Sequence, residues 1–138
     1  MKSTLQLRVI TPERQVLDEA VTRVTLREVD GYITLLPGHA ALVAELGPGD
    51  MAFETTDGKI HHLAVCGGFL QVQDDVVKVL ADSALWPSEI NLERAREAER
   101  RARERVFGAD HKVDYRRAAS ALHRAQVRLE VATNHMLD

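Results

Sequence analysis

A mainly β plus α fold, an N-terminal antiparallel β-sandwich followed by a C-terminal antiparallel two-helix hairpin, is what this sequence predicts, and three observations carry it. Between Leu5 and Ala84 apolar and polar residues alternate with a period of two, interrupted every several residues by turn formers. After Pro87 the apolar spacing lengthens to three and four, the rhythm of amphipathic helix. Charge changes at the same place: acids dominate before Leu85, and arginines crowd the chain after it.

Leu5, Leu7 and Val9 alternate with Gln6 and Arg8, and Val24 and Leu26 with Thr25 and Arg27, as half-buried strands do. The stretch Asp30 to Gly49, DGYITLLPGHAALVAELGPG, brackets an apolar segment between a Pro-Gly-His turn and a Gly-Pro-Gly turn. Asp57-Gly58 predicts a two-residue type I′ hairpin, which needs positive φ at both central positions, with Met51 to Thr55 and Lys59 to Val65 as its arms. Gly67-Gly68 reads as a bend or bulge where backbones approach closely. A strand follows these glycines, so they lack the helix N-terminus with which a glycine-rich loop holds phosphate. Asp74-Asp75 separates Phe69 to Val72 from Val76 to Leu80. Strands this short predict a flattened sandwich of roughly eight to ten strands.

Pro87 ends the strand pattern, Ser88 offers an N-cap oxygen and Glu89 a negative charge at the positive helix end, so a charged helix is expected to about Phe107. Gly108 is placed to end it with positive φ, Asp110-His111-Lys112 form a short polar connection, and Asp114 caps a second helix to about Thr133. The apolar seam is Ala95, Ala98, Ala102 and Val106 on the first helix, and Tyr115, Ala118, Leu122, Ala125 and Leu129 on the second. Single methyl groups bury little area at about 25 cal/mol per Å². The hairpin is therefore expected to be weakly held and able to exchange its packing for that of another protein. The domain division is residues 1–84 for the sandwich and 88–135 for the hairpin.

At 138 residues, 15.4 kDa and a net charge of -3, the chain is a modest globular protein without the strong basic excess of a nucleic-acid binder. The reading of a free-standing β-sandwich binding module with an Arg-rich nucleic-acid-binding hairpin is further weakened by the scarcity of aromatic residues for base stacking. Cys66 has no intrachain disulfide partner and sits in an apolar run, which fits a small buried side chain in a reducing cytoplasm. No apolar run approaches the roughly 20 residues of a membrane span, so membrane association is expected only through partners.

No catalytic set emerges, and the chain is expected not to be an enzyme. His39 has no nucleophile motif beside it and reads as a polar contact on a protruding turn. His61 and His62 adjoin in a strand and point to opposite faces, while His111, His123 and His135 fall at no helical ligand spacing, so no metal is expected. Arg94 and Arg101 share one helix face and Arg124 and Arg128 another; an antiparallel hairpin could gather all four as a phosphate clamp. The reading the residues favour is a solvated helix laced by ion pairs, Glu97 to Arg101 and Glu99 to Arg103.

Five segments in order, Leu7 to Val16, Asp30 to Gly49, Ala64 to Val72, Val77 to Asp82 and Val113 to Tyr115, make the chain resemble the epsilon subunit of bacterial F-type ATP synthase almost end to end. The resemblance implies a subunit of the central stalk, coupling rotor rotation to ATP synthesis and restraining ATP hydrolysis through its hairpin, with catalysis left to its partners. Those partners would be the gamma subunit, the c-ring, and the alpha and beta subunits of the catalytic hexamer, with no nucleic acid. Its place would be the cytoplasmic face of the bacterial inner membrane, peripherally bound. Rotor contact with gamma and the c-ring is implied at Tyr32, Pro37, Gly38 and His39, although Tyr32 and Ala41 depart from the family pattern. Ile90, Asn91, Arg94 and Ala95 resemble the ATP-binding pattern I/L-D-x-x-R-A, with Arg101, Arg124 and Arg128 at matching positions. Asn91 replaces the aspartate and Leu85 a glutamate of ATP-binding relatives, removing two acceptors, so no cofactor beyond weak regulatory ATP is implied.

Overall fold

A computed structural model describes residues 3–108 and 114–135; the connection Asp110-His111-Lys112 and Val113 lie outside the described residues. Seven strands come first: β1 (Leu5–Ile10), β2 (Gln15–Glu28), β3 (Gly31–Leu35), β4 (Leu42–Glu45), β5 (Gly49–Thr55), β6 (Ile60–Gln73) and β7 (Val76–Leu85). A 3-10 turn, Pro87–Glu89, then leads into helices α1 (Leu92–Phe107) and α2 (Tyr115–Asn134).

The strand count is seven among the described residues, below the eight to ten expected, because β2 and β6 are each 14 residues long and serve both layers. The first half of β2 pairs with β1 and its second half with β5 and β3; β6 pairs with β5 at its start and with β7 and β4 further on. Every pairing is antiparallel except β1 with β7, and β1 lies between β7 and β2, closing the layers on one another. The inner faces follow the alternation read from sequence: Leu5, Leu7, Val9, Val24 and Leu26 are buried with Met51, Phe53, Leu63 and Leu70 in one core. Trp86 packs edge-on against Phe53, ring centroids 6.1 Å apart, and closes that core at the exit of β7.

Turn chemistry differs from expectation at two hairpins. At Asp57-Gly58 the Thr55 N–H donates to the Lys59 carbonyl at 2.9 Å, making a three-residue loop in which Gly58 alone has positive φ, +83°. The Asp57 carboxylate accepts from the Thr55 hydroxyl and the Lys59 N–H, which stabilises its own backbone in an ordinary conformation. The two positive φ angles of a type I′ turn occur instead at Asp74 (+51°) and Asp75 (+61°), between the paired residues Gln73 and Val76.

Helix ends also depart from expectation. Ser88 does not cap α1, because residues 87–89 form the separate 3-10 turn; Glu89 is held by Arg14 at 2.7 Å and accepts from the Trp86 N–H at 2.9 Å. Ile90 is extended and Asn91 is the N-cap, its Oδ1 accepting from the Arg94 N–H at 3.1 Å. Gly108 has φ -78°, not positive; glycine is needed there because a Cβ would come 2.5 Å from the Glu104 carbonyl oxygen. Asp114 caps α2 as expected, accepting from Arg116 and Arg117.

The helices pack as an antiparallel hairpin through Ala95 and Ala102 on α1 and Ala118, Leu122 and Ala125 on α2, all buried. Tyr115, expected in this seam, is 65% exposed at the first helical position, where its side chain leans past the helix end. α2 carries a second stripe, Val127 and Val131, which packs with Ala64 and Ile90 in a cluster apart from the main core. This explains why Leu63 to Cys66 is buried on four consecutive residues: the core covers one face of β6 and α2 the other.

Candidate functional site

The protruding turn is built by Leu36-Pro37-Gly38-His39. Pro37 fixes φ at the second position, Gly38 takes φ +86° at the third, and the His39 N–H donates to the Leu36 carbonyl at 3.1 Å, the arrangement of a type II turn. The Gly38 N–H donates to Asp75 Oδ1 at 2.7 Å, so the turn is pinned to the β6–β7 hairpin. The His39 imidazole lies against the Ala40 carbonyl at 2.7 Å. Tyr32, 60% exposed and paired with Arg27, stands toward the other end of β3. At about 3.3 Å per residue it is roughly 15 Å from the turn. The four residues therefore do not form one cluster.

Residues that sequence reasoning missed lie on the outward face of β4, β6 and β7. Phe69 is paired with Leu80 on one side and Glu45 on the other, and Val43 is opposite Gln71; all three apolar side chains are exposed, Val43 by 72%. Exposed apolar side chains gathered on one sheet face are a feature of protein-contact surfaces. The signal of this face was present in Val79-Leu80-Ala81, where an apolar residue occupies the outward position between two inward ones.

The arginines divide by face. Glu97, Glu99, Arg100, Arg103 and Glu104 make the outer ion-paired surface of α1, but Glu97 pairs with Arg100, not with Arg101 as expected. Exposure screens these pairs, and they stabilise α1 little. Arg101 faces the seam with α2. One groove of about 800 Å³ is lined by Leu85, Ile90, Asn91, Arg94, Arg101 and Arg128, with Ala95 at its floor. A second of about 370 Å³ adjoins it along the seam, lined by Arg101, Arg105, Arg124 and Arg128. All four arginines singled out from sequence thus border these two adjoining grooves, but Glu89, Glu93 and Glu97 also line the first, so only the second is purely basic.

Arg128 anchors the grooves to the sandwich, donating to Ser83 Oγ at 3.3 Å, while its buried Nε has no partner among the described residues. Such a donor is costly unless an acceptor arrives. Two potential acceptors are already engaged or missing: Asn91 Oδ1 caps α1, and Leu85 offers only hydrocarbon. Burial pushes the Cys66 thiol up, against the opposing pull of Arg128 and Arg124, so this cysteine is held as the unreactive thiol.

Among the described residues the hairpin meets the sandwich through one small apolar cluster and a handful of polar contacts, Asp50 with His135 and Ser83 with Arg128 among them. Besides Ala64, Ile90, Val127 and Val131, Arg27 reaches His123 Nε2 at 2.9 Å. Burying a valine contributes about 1.5–3 kcal/mol, so the apolar part of this contact is on the order of 5 kcal/mol before ordering costs. Among the described residues no helix is long and apolar enough to cross a membrane.

Comparison with known proteins covers both halves. Residues 4–87 match the family described as ATP synthase, delta/epsilon chain, beta-sandwich domain, and residues 88–133 match the one described as ATP synthase, delta/epsilon chain, long alpha-helix domain. The chain is similar to the ATP synthase epsilon chain of Nitratidesulfovibrio vulgaris strain DP4, 39% identical over 134 residues, covering 97% of this chain and 99% of that one. The ATP synthase epsilon chain of Solibacter usitatus strain Ellin6076 is 41% identical over 132 residues, covering 96% and 98%. Among solved structures, a chain in the cryo-electron-microscopy structure of the Euglena gracilis mitochondrial ATP synthase, OSCP/F1/c-ring in rotational state 1, superposes with TM-score 0.81 at 26% identity, covering 100% of this chain and 84% of that one.

Proposed function

This chain belongs to the ATP synthase delta/epsilon family and is an epsilon subunit of that complex, and from that premise we propose that it is a non-catalytic rotor part whose hairpin is a releasable brake on ATP hydrolysis. The observation that carries this is the thin contact between hairpin and sandwich: one small cluster of Ala64, Ile90, Val127 and Val131 and a few polar bonds, apart from the main core. The hairpin can leave without dismantling the sandwich. Once extended, the arginine-rich helices would seat against acidic residues of the alpha and beta subunits. The reading of a free-standing nucleic-acid module has no support, since sandwich and hairpin alike match ATP synthase chains.

The exposed face of Val43, Phe69 and Leu80 supports docking on gamma, and the pinned Pro37-Gly38-His39 turn supports contact with gamma or the c-ring. The chain would then sit peripherally on the cytoplasmic face of the membrane. The two grooves support weak regulatory ATP binding: four arginines suit the phosphates, but three glutamates share the first groove and Asn91 and Leu85 offer the adenine little. Deleting residues 88–138 from the assembled complex tests the central reading. ATP hydrolysis is expected to rise while the complex stays assembled; unchanged hydrolysis would overturn it. Phe69→Glu is expected to abolish co-purification with gamma, and titration of the isolated chain with ATP checks the grooves.

A further inference from the structure

We propose that Asp50, His62 and His135 form a binding site for a borderline-soft divalent cation of the zinc class, which clips the end of α2 to the sandwich. The three residues come from β5, from β6 and from the C-cap of α2, and their ligand atoms all lie within 4.8 Å of one another. His62 Nδ1 is 2.9 Å from Asp50 Oδ1, and His135 Nε2 is 3.0 Å from Asp50 Oδ2. The two imidazoles stack with centroids 3.4 Å apart and planes within 4°. Each side chain is only about a fifth exposed, so water reaches the site without filling it.

Two imidazole nitrogens and one carboxylate oxygen are the donor set of a zinc site with an open fourth position for water. Bonds of about 2.0–2.2 Å to a tetrahedral ion place donor atoms roughly 3.3 Å apart. His62 Nδ1 and His135 Nε2 now lie on different oxygens of Asp50, so a common ion is reached by turning the carboxylate and splaying the stacked imidazoles, starting from ligand atoms within 4.8 Å of one another. The set is wrong for magnesium, which takes oxygen ligands in octahedral geometry. His61 and His62 point to opposite faces, so His62 alone contributes; Asp50 and the end of α2 supply what the strand lacks.

Because the ligands come from both parts, the site exists only while the hairpin lies against the sandwich. A cation that binds one conformer alone shifts the population toward it. Metal occupancy would therefore hold the C-terminal end of α2, beside the linker at Ile90, against the sandwich. This goes beyond the role in the ATP synthase and is tested on the isolated full-length chain, so its failure leaves that role standing.

The test is calorimetric titration of the metal-free chain with zinc, with cobalt substituted to read tetrahedral coordination by visible absorption. One equivalent is expected. Asp50→Asn, His62→Gln and His135→Gln should each weaken it by at least the roughly 10–100-fold that loss of even an outer-sphere partner costs. His61→Gln should bind as the parent chain does. Zinc should slow amide exchange over residues 127–134 in the parent chain but not in His135→Gln, a change at a helix end that leaves the core intact. Absence of binding, equal affinity in His135→Gln, or displacement of zinc by equimolar magnesium would overturn the proposal.

Discussion

At Gly68 the backbones of β6 and β7 come so close that a Cβ would lie 2.0 Å from the Leu80 carbonyl oxygen, and φ is +107°. Register is unbroken through this point, Cys66 opposite Ser83 and Gly68 opposite Ala81, so the glycines bend the strand without inserting a residue. Gly68→Ala is expected to destabilise the fold by about 3 kcal/mol or more, read from denaturant unfolding. Gly58, with φ +83° and nothing within 4 Å, has only the backbone preference to lose, so Gly58→Ala should cost about 1 kcal/mol. Comparable losses at the two sites would contradict the close approach. Asp75→Gly keeps the positive φ of that hairpin but frees the Gly38 N–H, and should speed its hydrogen exchange while the core amides stay protected.

α2 is the element on which the hairpin's attachment depends, because it alone presents one stripe to α1 and another to the sandwich. Val131 is fully buried in the second stripe, and Val131→Ala should loosen the hairpin by roughly 1–2 kcal/mol, with the sandwich transition unmoved. Limited proteolysis within residues 92–134 would report it. Acid should act on the same contact. Burial, and then the Arg27 charge, hold His123 below its ordinary value of 6.5. The released histidine binds a proton more readily than the docked one, so this contact's contribution is full above about pH 6.5 and declines as pH falls below it. Cleavage of the hairpin should accelerate in that range, and His123→Gln should flatten the response. Glu89, lowered chiefly by its bond to Arg14, keeps the linker strap until pH falls below the ordinary carboxylate range.

For the whole molecule, the main core draws its buried residues from Leu5 to Ala84, with Trp86 packed against it and, among the described residues, nothing from the helices. A chain ending at Trp86 should therefore retain its β-sheet circular dichroism and a cooperative thermal transition, and its loss would show that the hairpin is part of the core. The two-part organisation was legible in the sequence because strand and helix periods differ and each part buries its own apolar face. Leu5, Leu7 and Val9 and the alanine seam could be placed for that reason, and the four groove arginines could be grouped from spacings of four and seven. Local signals were less reliable at turns, where Asp57 and Asp74-Asp75 share the same residue types and side-chain hydrogen bonding decides between them. The sequence by itself determined the order of elements, the inward faces and the basic character of the hairpin, since these follow from the chemistry of neighbours along the chain. Only the tertiary structure decided that β2 and β6 bend to serve both layers, that Val127 and Val131 turn to Ala64, and that Asp50 meets a histidine 85 residues away. Those outcomes depend on long-range pairing, and no residue carries the identity of a partner that far along the chain.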